Sequence, residues 1–241
     1  MITNKRNQLL LKNNKLTDLY KEAAKEFRTL VLKKLESQEK LNIGFSGGRS
    51  VIGFYMELSK LNLPWNKIQF FLVDERAVPI DSNESNYYLL YSTLLENLIS
   101  EEKTSIQNAH SMIFNDDSEE EIIATTEYYN QELDNYGGLI DIAILSSGEE
   151  GHIGSVFPNH ATVFNNEKNY IYTLDAPKFP HKRVTMSRNL IKATDTIFMF
   201  FINKAKEGAY TNFRDPTLTE YESPNKVALE AKNLFIVTNL E

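Results

Sequence analysis

The sequence predicts an α/β fold of three layers, with a mostly parallel central sheet between helices. Short apolar runs recur along the chain: "LNIGF" (41–45), "IQFFLV" (68–73), "LIDIAIL" (139–145), "DTIFMFFI" (195–202) and "NLFIVTN" (233–239). Segments with helical spacing stand between several of them. Continuous apolar runs suit parallel strands covered on both faces, and alternation with helices makes the βα units that build such a sheet.

Taken in order, Leu16, Leu19, Ala23, Phe27, Leu30, Val31 and Leu35 fall at helical spacing, so an amphipathic helix is expected over 16–35. "LNIGF" follows as the first strand. Ser46-Gly47-Gly48 breaks it, and "SVIGFYMELSKL" (50–61) resumes as a helix. "IQFFLV" is the second strand and ends in Asp74-Glu75-Arg76. "SNYYLLYSTLLENL" (85–98) reads as a helix capped by Asn83 or Ser85, and "EEEIIATTEYYNQEL" (119–133) as another. The pairs Tyr87-Tyr88 and Tyr128-Tyr129 read as packing residues on these helices. "LIDIAIL" is the third strand, and "NYIYTLD" (169–175) and "KRVTMS" (182–187) read as two more. "DTIFMFFI" precedes a helical "KAKEGAYTNF" (204–213), and "NLFIVTN" is the last strand. The arrangement is Rossmann-like.

A chain of 241 residues is within the size of one domain, so a single unit over 1–241 is expected, large enough to bury a core without staples. The absence of cysteine excludes disulfides, thiolate metal sites and thiol nucleophiles. A formal net charge of −7 opposes a nucleic-acid or anionic-membrane surface, so any anionic ligand needs cations gathered locally. "MITNKRNQLLLKNNK" lacks the long apolar segment of a signal peptide, and "IFMFFI" (197–202) is far short of a bilayer span. The expectation is a soluble, cytoplasmic protein with no nucleic-acid or membrane partner. Monomer and homodimer stay open.

Open parallel sheets bind ligands beyond the carboxyl ends of their strands. Three strands here end in polar clusters, which are expected to converge on one crevice. Ser46-Gly47-Gly48-Arg49-Ser50 offers backbone N–H groups and a helix N-terminus to a phosphate, or is an ordinary glycine-rich turn. Arg76 can fork two hydrogen bonds to an oxyanion, or Asp74-Glu75-Arg76 is a solvated charge cluster. In Gly148-Glu149-Glu150-Gly151-His152 a carboxylate stands two residues from an imidazole. Histidine can take a proton from water near neutrality and a carboxylate can orient it; the alternative is an acidic surface turn. His110, His160 and His181 have no metal-ligand spacing and read as surface or supporting residues.

Together, in this order and spacing, the clusters resemble the 6-phosphogluconolactonase family, which is related to the glucosamine-6-phosphate deaminases. The family pattern is a Ser-Gly-Gly loop, an Asp-Glu-Arg strand end with Ser-Asn-Tyr after it, and a Gly-x-Asp-Gly-His turn leading into Ser-Leu-Phe-Pro. Here these are Ser46-Gly47-Gly48, Asp74-Glu75-Arg76, Ser85-Asn86-Tyr87, Gly148-Glu149-Glu150-Gly151-His152 and Ser155-Val156-Phe157-Pro158. "KRVTMS" is similar to the family's Arg-Ile-Thr-Leu-Thr strand, and Lys206 matches its late lysine. The resemblance spans nearly the whole chain. Arg76 and "SVFP" favour the lactonase branch, since deaminases have Asp-Glu-Tyr and Ala-Phe-Asn-Glu-Pro instead. Three features depart from the pattern: Glu150 replaces an aspartate, Arg49-Ser50-Val51 replaces Ser-Thr-Pro, and Ser146 replaces a glycine.

The resemblance implies a glucosamine-6-phosphate deaminase/ribose-5-phosphate isomerase-like fold. It also implies hydrolysis of 6-phospho-D-glucono-1,5-lactone in the oxidative pentose phosphate pathway, with a small phosphorylated sugar lactone as the partner. His152 would be the general base on water and Glu150 its orienting carboxylate. Ser46, Gly47, Gly48, Arg76 and Lys206 would bind phosphate, with Arg49 and Arg183 as further candidates. Arg49 can turn inward to the phosphate or outward to solvent. Backbone N–H groups of the 146–152 turn are expected to hold the oxyanion. No metal or organic cofactor is implied. The alternatives are a sugar-phosphate isomerase or deaminase of the same fold, or a sugar-phosphate-binding protein without turnover.

Overall fold

The computed structural model describes residues 7–241. The reading of the extreme N-terminus as carrying no signal peptide falls partly on residues 1–6, outside the described residues. No helix among the described residues is long and apolar enough to cross a membrane.

In chain order, β1 (Asn7–Lys12) leads to α1 (Leu16–Lys34), β2 (Leu41–Phe45), α2 (Arg49–Leu58) and β3 (Ile68–Leu72). Next come β4 (Asp74–Arg76), α3 (Asn86–Leu90), a π-helical turn (Tyr91–Leu95) and α4 (Glu96–Ser100). The chain continues through α5 (Glu119–Asn135), β5 (Ile142–Ser146), α6 (Ala161–Phe164), β6 (Tyr170–Thr173) and β7 (Arg183–Met186). It ends with α7 (Arg188–Ala193), β8 (Thr196–Phe201), α8 (Glu207–Arg214) and β9 (Asn233–Thr238).

Six strands form an all-parallel sheet in the order β1-β9-β8-β5-β2-β3. Residues of β2, β3 and β8 are buried along their full lengths, as continuous apolar runs require. Helix α1 lays Leu19, Ala23, Phe27 and Val31 on the sheet. The Phe27 ring meets Phe54 of α2 at 6.0 Å and Phe198 of β8 at 5.9 Å. Burying a phenyl side chain of this kind contributes about 1.5–3 kcal/mol, so this aromatic cluster fixes how the helices seat on the sheet.

Strand β1 has no counterpart in the sequence reading. It sits at the sheet edge and buries only Leu11, so it shows no core-facing pattern. "KRVTMS" and "NYIYTLD" are strands as expected, but they lie outside the parallel sheet. With β4 they form a second, antiparallel sheet in the order β4-β7-β6. Asp74-Glu75-Arg76, expected at a strand end, is therefore a strand itself. Val73 makes the change of sheet. Its N–H donates to Phe45 O of β2 at 2.9 Å, and its carbonyl accepts from Met186 N of β7 at 2.7 Å.

Ser85 caps α3, its hydroxyl accepting from Tyr88 N. Of the tyrosine pairs, Tyr129 is buried whereas Tyr128 is exposed. His110, read as a surface or supporting residue, belongs to the core. Its ring stacks on Phe71 at 4.2 Å and its Nε2 lies 2.9 Å from Gln69 Oε1.

The strand order reverses at β2. From β2 the chain moves one way to β3, and β5, β8 and β9 then build outward on the other side. A switch in strand order of this kind opens a crevice at the carboxyl ends of the strands.

Candidate functional site

A cleft of about 100 Å³ lies at this switch point and gathers the three expected clusters. Ser46, Gly47 and Gly48 come from the end of β2, Asp74 and Arg76 from β4, and Ser146, Gly148 and His152 from the end of β5. Arg183 of β7 and Lys206, just before α8, complete it. A neighbouring depression of about 300 Å³ shares Gly48, Ser146 and Lys206 with the cleft. A larger concavity of about 540 Å³ lies elsewhere, beside α5, and contains none of these residues.

The glycine loop is shaped by its neighbours. A Cβ on Gly47 would fall 1.8 Å from Asn86 Oδ1, so only glycine lets the loop pass the buried asparagine. Gly47 and Gly48 N–H make no hydrogen bond among the described residues. They stand before the first turn of the ten-residue helix α2, whose dipole favours an anion. Ser46 Oγ is buried there without a partner.

Arg76 is held by its chain neighbours. Its Nη1 donates to Glu84 O, and its Nε is buried with no partner. An unpaired buried donor is costly, so the guanidinium has capacity for one more acceptor. Beneath it, the Glu75 carboxylate accepts from the N–H groups of Arg76, Asn86 and Tyr87, each at 2.8 Å, and from Ser85 Oγ at 3.0 Å. Those bonds tie the start of α3 to β4.

Lys206 is half-buried, and its ammonium makes no hydrogen bond or salt bridge among the described residues. Burial lowers its pKa, Glu149 opposes that shift, and Lys178 and Arg49 add to it. It stands among the carboxylates of Glu149 and Glu150 and the cations of Lys178 and Arg49, and it lines both the cleft and the neighbouring depression. Arg49 is exposed and lines the neighbouring depression with Lys206, not the cleft with Arg76. Arg183 is buried and largely engaged. Its Nε donates to Pro180 O at 2.7 Å and its Nη2 to Lys178 O at 2.9 Å.

His152 is paired as the sequence suggests. Its Nδ1 lies 2.9 Å from Glu150 Oε1, and Nε2 has no partner among the described residues. Burial lowers the histidine's pKa, and the bond to Glu150 only partly offsets it. The shift favours the neutral ring, the state a base needs. Burial works against the Glu150 carboxylate, yet its bonds to His152 and Lys178 hold it well below the usual range.

The 146–152 turn is a poorer oxyanion donor than expected. Ser147 N–H is given to Phe200 O, Gly148 N–H to His152 O and Gly151 N–H to Gly148 O. Those bonds shape the turn, and they leave the Glu149 and His152 N–H groups without a bond. No group of three or more histidine, aspartate or glutamate side chains among the described residues could hold a metal.

Residues outside the expected set also line the cleft. Asp74 Oδ2 accepts from Ser155 Oγ at 2.8 Å, and Asn86 Nδ2 donates to Asp74 Oδ1 at 3.1 Å. Both Asp74 and Asn86 lay inside quoted motifs, but nothing in their spacing showed that they face the same cleft.

A sequence profile of the family described as glucosamine-6-phosphate isomerases/6-phosphogluconolactonase matches residues 14–236. The 6-phosphogluconolactonase of Borreliella burgdorferi is 32% identical over 200 residues, covering 83% of this chain and 84% of that one. That of Thermotoga maritima is 31% identical over 182 residues, covering 76% and 77%. A crystal structure of 6-phosphogluconolactonase from Thermotoga maritima superposes with a TM-score of 0.80 at 26% identity, over 97% of this chain and all (100%) of that one.

Proposed function

Because the chain belongs to the family of glucosamine-6-phosphate isomerases and 6-phosphogluconolactonases, we propose that the cleft around His152 is its catalytic site. The reaction is hydrolysis of 6-phospho-D-glucono-1,5-lactone to 6-phospho-D-gluconate, a step of the oxidative pentose phosphate pathway. One observation carries the assignment of the site. An imidazole oriented by a carboxylate shares a cleft with an unpaired ammonium and a guanidinium that has an unmet donor.

In the proposed scheme the phosphate is held by Lys206, Arg76, Ser46 Oγ and the N–H groups of Gly47 and Gly48. The lactone carbonyl then faces His152. Glu150 accepts from Nδ1–H, which leaves the lone pair on Nε2. Water attacks C1 as Nε2 takes its proton, and a tetrahedral oxyanion forms. When it collapses, the bond from C1 to the ring oxygen breaks, and the imidazolium returns the proton to that oxygen. The product carboxylic acid then ionises. A δ-lactone is an activated ester, so placement, one base and polar donors are enough. The scheme uses no metal or organic cofactor. Val156 and Phe157, where deaminases carry Asn and Glu, are buried and cannot supply that branch's acid chemistry. The same reading takes residues 1–241 as one catalytic unit, acting in the cytoplasm on a small phosphorylated lactone, with no nucleic-acid or membrane partner.

The test is hydrolysis of freshly generated 6-phosphogluconolactone, measured against the spontaneous rate. Acceleration is expected, with much weaker action on the unphosphorylated lactone. Turnover no faster than background, or ammonia release from glucosamine 6-phosphate at a comparable rate, would overturn it.

A further inference from the structure

The segment between β6 and β7 folds back towards the 146–152 turn, and one of its side chains reaches the Glu150–His152 pair. Lys178 Nζ lies 2.7 Å from Glu150 Oε2, while Glu150 Oε1 faces His152 Nδ1 at 2.9 Å. The two oxygens of one carboxylate thus serve two partners from different parts of the chain. Lys178 is itself anchored. Buried Arg183 takes the backbone carbonyls of Lys178 and Pro180 at 2.9 Å and 2.7 Å. That guanidinium also lies 5.6 Å from the centre of the Phe157 ring, and Phe157 packs on His152 at 4.7 Å between centroids. The contacts close a ring: Arg183, Lys178, Glu150, His152, Phe157.

The Lys178 side chain is 46% exposed, and an exposed ion pair alone is worth little. Two features set this one apart. Its backbone is fixed by a buried guanidinium, and its partner carboxylate is the one that orients the base. Glu150 has a longer arm than aspartate, with one more rotatable bond. Without a second tether its carboxylate can turn from the imidazole towards water.

We propose that Lys178 is a positioning residue: anchored through Arg183, its ammonium holds Glu150 in the conformation that fixes Nδ1–H of His152 and leaves Nε2 free for water. This rests on the lactone-hydrolysis reading of the site and deepens it. It also gives Arg183 a structural duty in place of the phosphate contact implied by resemblance.

The charged groups around His152 make the idea testable. Glu150 on its own turn and Asp74 on β4 favour the imidazolium, and Lys178 opposes it. Arg76, Arg183 and Lys206 face it across the cleft. Glu150 supports the imidazolium more than Lys178 opposes it, so a Lys178→Met change that releases Glu150 shifts the acidic limb of the rate profile to lower pH, as Glu150→Gln does. A shift to higher pH, the effect of losing the Lys178 charge alone, would overturn the proposal. The Lys178→Met change should also lower kcat roughly 10–100-fold, the usual scale for losing an orienting partner. Lys178→Arg should restore most of it.

The second readout is the ¹⁵N spectrum of the labelled imidazole, which reports the tautomer without substrate. Wild-type protein should show Nδ1–H, and Lys178→Met a mixture of tautomers. Wild-type kcat, limb and tautomer in Lys178→Met would overturn the proposal. So would a fall in kcat with limb and tautomer unmoved, since disturbed loop structure alone does that. If the wild-type protein fails to hydrolyse the lactone, the functional reading falls, and the ¹⁵N comparison still decides whether Lys178 sets the tautomer.

Discussion

The imidazole of His152 occupies the space that a side chain at residue 148 would need: a Cβ on Gly148 would fall 1.9 Å from His152 Nδ1. Glu150 and Phe157 hold the ring in place on other sides. Gly148→Ala is therefore expected to push the ring off Glu150. Activity should fall by about 10²-fold or more, the scale for displacing a reacting group by an ångström. Circular dichroism should stay native. Unchanged turnover would show that the ring tolerates the shift.

His152→Ala should lose roughly 10²–10⁴ in kcat, the usual worth of positioned proton transfer. Steady-state kinetics on a variant shown to be folded is the check.

Glu150→Gln tests the sign of the electrostatics. Burial already holds the His152 pKa below the ordinary 6.5, and the Glu150 charge raises it part of the way back. Removing that charge lowers it further, so the acidic limb should move to lower pH. The maximum rate should fall because the tautomer is no longer fixed. Glu150→Asp keeps the charge and should retain more activity than Glu150→Gln. A pH–kcat series on the three proteins decides it.

The cations should separate by position. Lys206→Met should raise KM for the phosphorylated lactone roughly 10–100-fold, as for loss of a charge-assisted hydrogen bond. Arg49 lies out in the depression, so Arg49→Ser should change KM by no more than about fivefold, and less at high salt. A larger effect from Arg49→Ser than from Lys206→Met would reverse these assignments.

Glu75→Gln tests the support of the cation site. All four bonds to the Glu75 carboxylate come from donors. An amide nitrogen must then face at least one of them in either orientation. The cost should be about 1–3 kcal/mol, read from urea unfolding.

Periodicity and apolar runs carried most of the parallel sheet, because buried strands leave continuous apolar stretches. They could not carry β1, which buries only Leu11 at an edge. Nor could they show that Arg76 sits on a strand of a second sheet, since three residues have no readable period. The pair Glu150 and His152 was legible because both stand on one turn. Lys178 was not, because its reach depends on a loop folding back onto that turn. His110 was misread for the same reason: its stacking partner Phe71 comes from another element.

Val73 gives the two sheets a common joint, bonded to β2 through its N–H and to β7 through its carbonyl. The base stands on one side of that joint and Arg76 on the other. In the proposed scheme, the span from cation to base across this joint works as a gauge. A phosphorylated lactone one carbon shorter, seated by its phosphate, would hold its carbonyl short of His152. On that scheme the frame selects substrates by length before any contact along the sugar is made.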